Sequence, residues 1–302
     1  MRVFVTGATG FIGSAIAAEL TDAGHQVVRL ARSDASAAAL AAAGAEVQRG
    51  SLDDLDSLRS GAAASDGVIH TAYNHDFTDF AAAAATDLRV IEALGSELEG
   101  SGRPLVIASG VLGLTPGRLA TERDSGDLAS PPGPRLRNEH TAISLASRGV
   151  RSSAVRLAPT VHGEGDHGFV PRLINIARSK GVSGYIGTGS NRWPAVHRLD
   201  AAHLFRLALE TAPPGTRLHG VAEEGVPVRA IAEAIGRQLD VPVVAISQED
   251  APEHFGFLAA FLGMDGPASS ALTRELMGWQ PTHPGLIEDL EQGHYFKIKI
   301  EV

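Results

Sequence analysis

The stretch Gly7-Ala8-Thr9-Gly10-Phe11-Ile12-Gly13 decides the fold predicted for this chain. It follows the apolar run Arg2–Thr6, which has the composition of a buried strand, and precedes an Ala-rich helical segment. This spacing allows a tight turn at Gly7, close approach of a phosphate pair at Gly10, and close packing of helix on strand at Gly13. The stretch therefore predicts a Rossmann-type dinucleotide site whose pyrophosphate is bound by Gly7, Thr9, Gly10, Phe11, Ile12 and Gly13. The alternative is a glycine-rich turn that binds no ligand.

Composition excludes several classes of protein. The 302 residues include 44% hydrophobic and 20% charged side chains, as in ordinary globular proteins. A net charge of −9 argues against nucleic acid or an anionic membrane as a partner. Without cysteine the chain can form no disulfide, thiolate zinc site or thiol nucleophile. Because no apolar run reaches the roughly 20 residues of a membrane-spanning helix and no signal peptide is seen, we expect a cytoplasmic protein.

Short β-branched runs alternate with Ala- and Leu-rich helical stretches through the first half, as in a parallel sheet covered by helices on both faces. The predicted strands are 2–6, 26–30, 46–50, 67–71, 104–109 and 152–157, and the predicted helices are 14–23, 35–43, 52–63, 77–98 and 137–148. Beyond about residue 160 only helices near 200–210, 228–239 and 271–276 stand out.

We therefore expect an α/β fold, with a Rossmann-type doubly wound parallel sheet and a smaller C-terminal substrate-binding lobe. Residues 1–160, joined by about 191–222, are expected to form the NADP-binding Rossmann domain, and residues 161–190 and 223–302 the lobe. The segment 115–134 is rich in Gly, Pro and charge, and is expected to be a lid.

The end of the second predicted strand favours NADP over NAD as the cofactor. No acidic residue stands there to bind the ribose 2′-hydroxyl of NAD. Instead Arg32 and Ser33 suit a 2′-phosphate through charge-assisted hydrogen bonds, and Asp34 comes one residue too late. The alternative is that Arg32 is a solvated surface charge.

Several motifs together resemble the extended or atypical branch of the short-chain dehydrogenase/reductase superfamily, the group described as NAD-dependent epimerase/dehydratase-like. They are the glycine stretch, Gly50-Ser51-Leu52-Asp53-Asp54, Val68-Ile69-His70-Thr71-Ala72, Ser109, residues 155–163 and residues 195–202. The resemblance covers nearly the whole chain and implies that substrate is held between the lobes. It also implies cofactor contacts at Arg32, Ser33, Ser51, Leu52, Ala72, Tyr73, Ser109, Pro159 and Thr160.

The chain departs from this family at the Tyr-x-x-x-Lys motif that supplies the proton. Alignment on Glu139 puts Pro131 at the tyrosine position and Arg135 at the lysine position, and no tyrosine or lysine lies between Ser109 and Ser152. Arg135, or alternatively Arg137, is expected to keep the contact with the nicotinamide ribose, but a guanidinium does not readily donate a proton. The proton must then come from another acid, or from water in an electrostatically prepared site.

Three residues are candidates for the catalytic role. His162 follows the cofactor-lining turn and is of the residue type most used as a proton donor near neutral pH, which makes it the first choice; the alternative is a hydrogen-bonded structural histidine. Ser109 is expected to bond a substrate oxygen, as the resemblance implies, and the alternative is a cap or turn hydroxyl. Tyr73 is expected to face the nicotinamide, and the alternative is a packing or binding residue.

Substrate contacts are expected from His167, and from Arg192 and Trp193 as a clamp for an anion or an aromatic ring. The alternatives are a solvated turn for His167 and packing for Trp193. The apolar segment 254–264 is unusually bulky for a chain with 5% aromatic residues, and fits a core helix, an apolar pocket or a subunit contact.

No metal site is expected. His70, His75 and Asp76 are close in sequence, but His70 belongs to a predicted buried strand and the other two lie beyond its end. No His-x-x-x-His pair or comparable ligand set occurs.

These patterns predict an NADPH-dependent oxidoreductase that reduces a carbonyl or related polarised double bond of a small organic molecule, with a non-standard proton donor. The alternatives are a non-catalytic NADP(H)-binding sensor or scaffold, and a sugar-nucleotide epimerase or dehydratase. The Ala-rich helices 77–98 and 137–148 favour a homodimer over a monomer, although such helices also pack on their own sheet. Residues 297–302 alternate like an edge strand and receive no role.

Overall fold

The computed structural model describes residues 1–74, 79–130 and 133–297. In chain order its strands are β1 (Arg2–Thr6), β2 (Gln26–Ala31), β3 (Glu46–Arg49), β4 (Gly67–His70), β5 (Pro104–Gly110), β6 (Arg151–Leu157), β7 (Thr160–His162), β8 (Ser183–Ile186), β9 (Arg192–His197), β10 (Thr216–Gly220), β11 (Glu223–Pro227) and β12 (Val243–Ile246).

The helices are α1 (Phe11–Asp22), α2 (Asp34–Ala42), α3 (Leu55–Ala63), α4 (Phe80–Leu98), α5 (Gly133–Ser144), α6 (Phe169–Lys180), α7 (Arg198–Thr211), α8 (Val228–Leu239), α9 (Ala251–Phe255), α10 (Ala259–Leu262), α11 (Ala271–Met277) and α12 (Leu286–Glu291). Within the described ranges, none of these helices has the length and hydropathy needed to cross a membrane. The alternating segment predicted at 297–302 lies outside the described residues, apart from Lys297.

Seven strands form one parallel sheet in the order β10-β6-β5-β4-β1-β2-β3. The strand order reverses at β1, which has β2 on one side and β4 on the other. At such a switch point the loops after the two central strands part and open a crevice at the carboxyl edge of the sheet. This topology confirms the predicted Rossmann-type α/β fold, and it places the glycine stretch after β1 beside residues 71–73 after β4.

Apolar side chains bury both faces of this sheet. On one face α1 and α7 pack against each other, with Ile16, Leu20 and Phe205 in the shared core. On the other face Phe4 lies in a second core with Leu58 of α3 and Leu94 of α4. Burial on both faces explains why the central strands read as continuous apolar runs in the sequence.

The edge strand β10 is not predicted by the sequence pattern because its residues Thr-Arg-Leu-His-Gly are largely polar. Specific partners allow it to be buried. The Nε of Arg217 donates to Glu139 at 2.8 Å, and Nδ1 of His219 lies 2.8 Å from the carbonyl oxygen of Ser269. Such pairing is a tertiary feature that hydrophobic periodicity does not report.

The smaller lobe is built from short elements. Strands β11, β9 and β7 form a three-stranded mixed sheet, and β12 pairs in parallel with β8. Helices α6 and α8 pack on β8 and on each other, around a separate core that includes Trp193, Ile231 and Leu286.

The segment 115–134, expected to be a lid, is anchored to later parts of the chain. Ala120 forms an isolated parallel bridge with Ala268. Oε1 of Glu122 accepts hydrogen bonds from the backbone nitrogen and Oγ1 of Thr273, at 2.7 and 2.6 Å. Because Ala120 and Glu122 are both buried, this part of the segment is fixed rather than free to open.

Candidate functional site

The loop after β1 forms a cradle at the N-terminus of α1. Gly7 has a φ of +73°, and a Cβ there would lie 2.7 Å from the backbone nitrogen of Ala72. A Cβ at Gly13 would lie 2.0 Å from the carbonyl oxygen of Gly7. Gly10 is the N-cap of α1, no side chain caps the helix, and its first turn holds no acidic residue. The first-turn N–H groups are therefore available to an anion, and the cradle fits a pyrophosphate.

The remaining predicted pyrophosphate contacts lie on the rim of this cradle. Thr9 is exposed, and Phe11 and Ile12 are half-buried. The loop 163–168 of the smaller lobe reaches the same rim, since the ring of His167 meets that of Phe11 edge-on with centroids 5.9 Å apart. The guanidinium carbon of Arg198 lies 5.2 Å from the Phe11 ring centroid. Sequence reasoning named Arg198 only as part of the motif 195–202, without a role of its own; the structure shows that it brings a positive charge to the cradle.

Arg32 and Ser33 lie where β2 ends and α2 begins. Arg32 is exposed, and Ser33 caps α2 by accepting a hydrogen bond from the backbone nitrogen of Ser36 at 3.1 Å. The neighbouring carboxylate of Asp34 is paired with Arg49 at 2.8 Å. The end of β2 therefore presents the guanidinium of Arg32, whereas the N-terminus of α2 is capped by Ser33 and has Asp34 in its first turn. Beyond the adjacent β3, the two predicted adenine-side contacts, Ser51 and Leu52, are half-buried.

Tyr73 and Arg135 come together at the carboxyl edge of the sheet. The guanidinium carbon of Arg135 lies 4.2 Å from the ring centroid of Tyr73, within the range of a cation–π interaction. Burial raises the pKa of the Tyr73 phenol, and the charge of Arg135 opposes that rise. The phenol is therefore protonated at neutral pH. Pro131, at the position of the family's tyrosine, lies outside the described residues.

A buried polar network lies beside this pair. His70 holds Nδ1 2.7 Å from Oγ1 of Thr6, and Nε2 3.0 Å from Oδ1 of Asp87. Asn138 donates to Oδ2 of the same carboxylate at 2.7 Å. Burial alone would raise the pKa of Asp87, but the hydrogen bond and charge of His70, the charge of Arg135 and the Asn138 bond lower it. Asp87 is therefore a buried ionised carboxylate whose charge acts on Arg135.

Sequence reasoning identified His70 only as part of a family motif, and it missed Asp87 and Asn138. The available signal was a carboxylate on the apolar face of α4, where Ala84 and Val90 are also buried. A buried Asp needs a partner, but the sequence does not say which residue supplies it.

Ser109 lies at the carboxyl end of β5 and is 3% exposed. Its hydroxyl has no hydrogen-bond partner among the described residues. Ser109 is paired in register with Arg156 of β6. The carboxylate of Glu139 accepts hydrogen bonds from Arg156 at 2.8 and 2.6 Å and from Arg217 at 2.8 Å. Burial would raise the pKa of Glu139, but these donors and the charge of Arg156 lower it. Ser109 therefore borders a buried ionised pair, and its contact with a substrate oxygen stays a prediction.

His162 is buried in the smaller lobe, with 1% of its surface exposed. Its Nδ1 lies 2.9 Å from Oδ2 of Asp289 on α12, and its Nε2 has no hydrogen-bond partner among the described residues. Its ring meets the edge of His197 at a centroid distance of 5.4 Å. The hydrogen bond between His162 and Asp289 joins β7 to α12. The geometry therefore favours the alternative interpretation of His162 as a structural histidine.

Further titratable groups surround His162. Burial raises the pKa of Asp166 to about 6, although the backbone nitrogen of Gly168 and the Tyr295 hydroxyl both donate to it. Burial lowers the pKa of His197 to about 4, and its ring stacks on His283 at 4.7 Å. Across the described residues no three His, Asp or Glu side chains are arranged to hold a metal ion. His75 and Asp76 lie outside the described residues.

Arg192 and Trp193 do not form the predicted clamp. Nε and Nη2 of Arg192 donate to Asp265 at 3.0 and 2.9 Å. Trp193 is fully buried and packs on Phe169 at a centroid distance of 5.6 Å. Successive residues of a strand point to opposite faces, so these neighbours cannot close on one ligand. The structure therefore favours the packing alternative for Trp193.

In the turn after β6, the side chain of Thr160 forms a hydrogen bond within the protein. Thr160 is 2% exposed and its Oγ1 donates to the carbonyl oxygen of Pro194. Its hydroxyl therefore serves the small sheet, and only its backbone is available for the predicted cofactor contact. Pro159 beside it is half-buried.

Comparison with known proteins agrees with this architecture. The sequence profile of the NAD dependent epimerase/dehydratase family matches residues 3–102. An uncharacterised protein of Schizosaccharomyces pombe is 54% identical over 98% of this chain and 100% of its own length. A 2-alkyl-3-oxoalkanoate reductase of Stenotrophomonas maltophilia is 28% identical over 81% of this chain and 77% of that protein.

A solved structure of a short-chain dehydrogenase/reductase superfamily protein from Agrobacterium tumefaciens, with bound NAD, has a TM-score of 0.75 and 18% identity. The match covers 98% of this chain and 97% of that one. At this identity the likeness concerns the fold. The family resemblance drawn from the motifs is confirmed in the N-terminal third of the chain, where residues 3–102 match the NAD dependent epimerase/dehydratase family.

Proposed function

We propose that the protein is an NADPH-dependent reductase of a carbonyl or related polarised double bond in a small organic molecule. The observation that carries the proposal is the Tyr73–Arg135 pair at the carboxyl edge of the sheet. It supplies a phenol and a fixed positive charge in a chain that lacks the family's usual tyrosine and lysine. The similarity to a protein named 2-alkyl-3-oxoalkanoate reductase supports the same class of reaction.

NADP(H) is the proposed cofactor. The cradle around Gly7 fits a pyrophosphate, and exposed Arg32 at the N-terminus of α2 suits a 2′-phosphate. The Asp34 carboxylate forms a solvent-exposed ion pair with Arg49. When bound, the nicotinamide supplies the hydride that adds to the substrate carbon.

Tyr73 is the proposed proton donor. Its protonated hydroxyl gives a proton to the substrate oxygen as the carbon is reduced, so that a carbonyl becomes an alcohol. The guanidinium of Arg135 stabilises the phenolate that remains, and the buried charge of Asp87 helps to hold Arg135 in place. Ser109 donates a second hydrogen bond to the same oxygen. His162 takes the structural role that its burial against Asp289 favours.

A non-catalytic NADP(H)-binding sensor or scaffold is the second candidate. It is favoured by the arginine at position 135, which cannot replace the proton-relaying lysine of the family. This candidate predicts tight binding of the cofactor with no turnover of any substrate.

The test is oxidation of NADPH and of NADH with a panel of aldehydes, ketones and enones. Wild-type protein is expected to oxidise NADPH faster than NADH. Tyr73→Phe is expected to lower kcat about 100-fold, since general acids contribute on this scale, with cofactor affinity unchanged. Tyr185→Phe is a matched control because its ring also lies under an arginine, Arg229 at 5.5 Å, but in the smaller lobe. Cofactor binding without turnover on the whole panel would favour the sensor, and full activity in Tyr73→Phe would remove Tyr73 as donor.

A further inference from the structure

Arg49 is the last residue of β3, and its guanidinium reaches the turn that follows β2. In the parallel pairing of these strands Arg49 lies in register with Ala31, the last residue of β2. Its Nη1 donates a hydrogen bond to the carbonyl oxygen of Ala31 at 2.8 Å. Its Nη2 lies 2.8 Å from Oδ1 of Asp34, the first residue of α2. The guanidinium therefore spans the turn whose two middle residues are Arg32 and Ser33.

The place of Arg49 agrees with the path expected for the adenosine part of the cofactor. The backbone nitrogen of Gly50 donates to the same carbonyl oxygen of Ala31 at 3.2 Å, so the chain after β3 runs beside the end of β2. Ser51 and Leu52, the predicted adenine-side contacts, follow directly. The turn predicted to bind the ribose and the segment predicted to contact adenine therefore meet at Arg49.

The ion pair between Arg49 and Asp34 is open to exchange with another anion. Their side chains are 46% and 99% exposed, and an ion pair in water contributes little free energy. A phosphate monoester carries more negative charge than a carboxylate and accepts the same planar fork of guanidinium N–H groups. It can therefore replace Asp34 at Nη2, while the hydrogen bond to the carbonyl oxygen of Ala31 keeps Arg49 beside the turn.

We propose that Arg49 binds the 2′-phosphate of NADP(H) together with Arg32, and that Asp34 is the counter-ion that this phosphate displaces. The inference rests on the proposed cofactor, and it adds a residue from the neighbouring strand to which the family resemblance gives no role. Because the ribose of NAD carries a hydroxyl in place of the phosphate, it offers Arg49 no charge to bind. Arg49 should therefore discriminate between the two cofactors without affecting the binding of the part that they share.

The test needs no turnover. NADP⁺ and NAD⁺, which differ only in the 2′-phosphate, are titrated into the full chain in a calorimeter, and wild-type protein should bind NADP⁺ at least about tenfold more tightly. Arg49→Gln should lower this preference about tenfold, the effect of losing one charge-assisted hydrogen bond, and leave the Kd of NAD⁺ within about twofold. Arg49→Lys keeps the charge without the planar fork, and should retain more of the preference than Arg49→Gln.

Two further variants test the role of Asp34. Asp34→Asn should act in the opposite direction, lowering the Kd of NADP⁺ about two- to threefold, because the counter-ion no longer competes with the phosphate. Arg59→Gln is the matched control, since the Arg59 side chain on α3 is 45% exposed and pairs with Asp56 at 2.9 Å. This control should change neither Kd by more than about twofold.

The outcomes separate this inference from the proposed function. An Arg49→Gln protein that keeps the wild-type preference, or an Asp34→Asn protein that binds NADP⁺ more weakly, overturns the role of Arg49. The proposed cofactor survives that result if Arg32→Gln still loses the preference. A wild-type protein without preference for NADP⁺ overturns both. The expected shifts without reduction of any carbonyl support the pair of arginines and reject the reductase.

Discussion

His70 and His162 are both buried histidines that bind a carboxylate, but their surroundings differ. Both nitrogens of His70 are hydrogen-bonded, to Thr6 and to Asp87, and Asp87 is also bound by Asn138. His162 binds Asp289 through one nitrogen, and its other nitrogen is buried without a partner in the described part of the chain. The first pair lies at the carboxyl edge of the sheet; the second joins β7 to α12.

The two histidine–carboxylate pairs differ in the residues on which their carboxylates act. The charge of Asp87 acts on both Tyr73 and Arg135, so this pair is coupled to the proposed proton donor. Asp289 acts on His162, His197 and His294, which are internal to the smaller lobe. We infer that loss of Asp87 affects stability and chemistry together, whereas loss of Asp289 affects stability alone.

Asp87→Ala is expected to have the largest effect. It leaves the Nε2 of His70 buried without its acceptor and leaves the amide of Asn138 with only the carbonyl oxygen of Ala84, and should lower the free energy of unfolding by about 3–5 kcal/mol. Because Arg135 also loses a neighbouring carboxylate, kcat should fall about tenfold or more. Urea unfolding and NADPH oxidation below the melting temperature measure the two effects.

Two variants separate charge from packing at this pair. Asp56→Ala removes a carboxylate that is 94% exposed, and should change the free energy of unfolding by less than about 0.5 kcal/mol. Asp87→Asn keeps an acceptor for His70 but not the charge, so it should retain more stability than Asp87→Ala while still lowering kcat. Full activity in a folded Asp87→Asn protein would contradict the coupling to Tyr73.

Asp289→Ala should lower the stability of the protein and leave its catalytic rate nearly unchanged. Removing the acceptor of His162 is expected to lower the free energy of unfolding by about 2–4 kcal/mol. In the fraction that remains folded, kcat should stay within about threefold of wild type, because Tyr73 and its neighbours are untouched. A loss of kcat approaching 100-fold in folded Asp289→Ala would instead restore His162 as the proton donor.

The contrast between these pairs also shows what the sequence can predict. Strands β1 to β6 were predictable to within about one residue at each end. For the central strands β1, β4 and β5, burial on both faces leaves short apolar runs between helices. Helix α5 begins earlier than predicted, at Gly133, because Pro134 is tolerated in a first turn. The glycine cradle was predictable because its steric demands lie within seven consecutive residues.

The proton donor was harder to predict because it depends on where a side chain points, and not only on its position in the sequence. His162 lies close in sequence to the predicted cofactor turn, but the sequence does not say that its ring points toward α12. The Tyr73–Arg135 contact joins residues 62 positions apart on different elements. His70 and Asp87 meet only because α4 packs beside the end of β4. Each of these is a tertiary contact without a local period or motif.

The smallest expected effect is a pH dependence of stability around His162. His197 has its pKa lowered by burial from 6.5 to about 4, so the stability it contributes is full above pH 6.5 and is lost as the pH falls toward 4. Asp166 has its pKa raised by burial from 3.8 to about 6, so its contribution is greatest below pH 3.8 and is lost as the pH rises through 6. Between about pH 4 and 6 the two contributions oppose each other. We compare the change in the free energy of unfolding between pH 7 and pH 4.5 in each variant with the same change in wild type. The free energy of unfolding of His197→Gln should rise by about 1–2 kcal/mol relative to wild type, after allowance for the partial exposure of His197. That of Asp166→Asn should fall by about 1–2 kcal/mol relative to wild type. Urea unfolding of the three proteins at both pH values measures this, and parallel profiles would show that neither group titrates differently on folding.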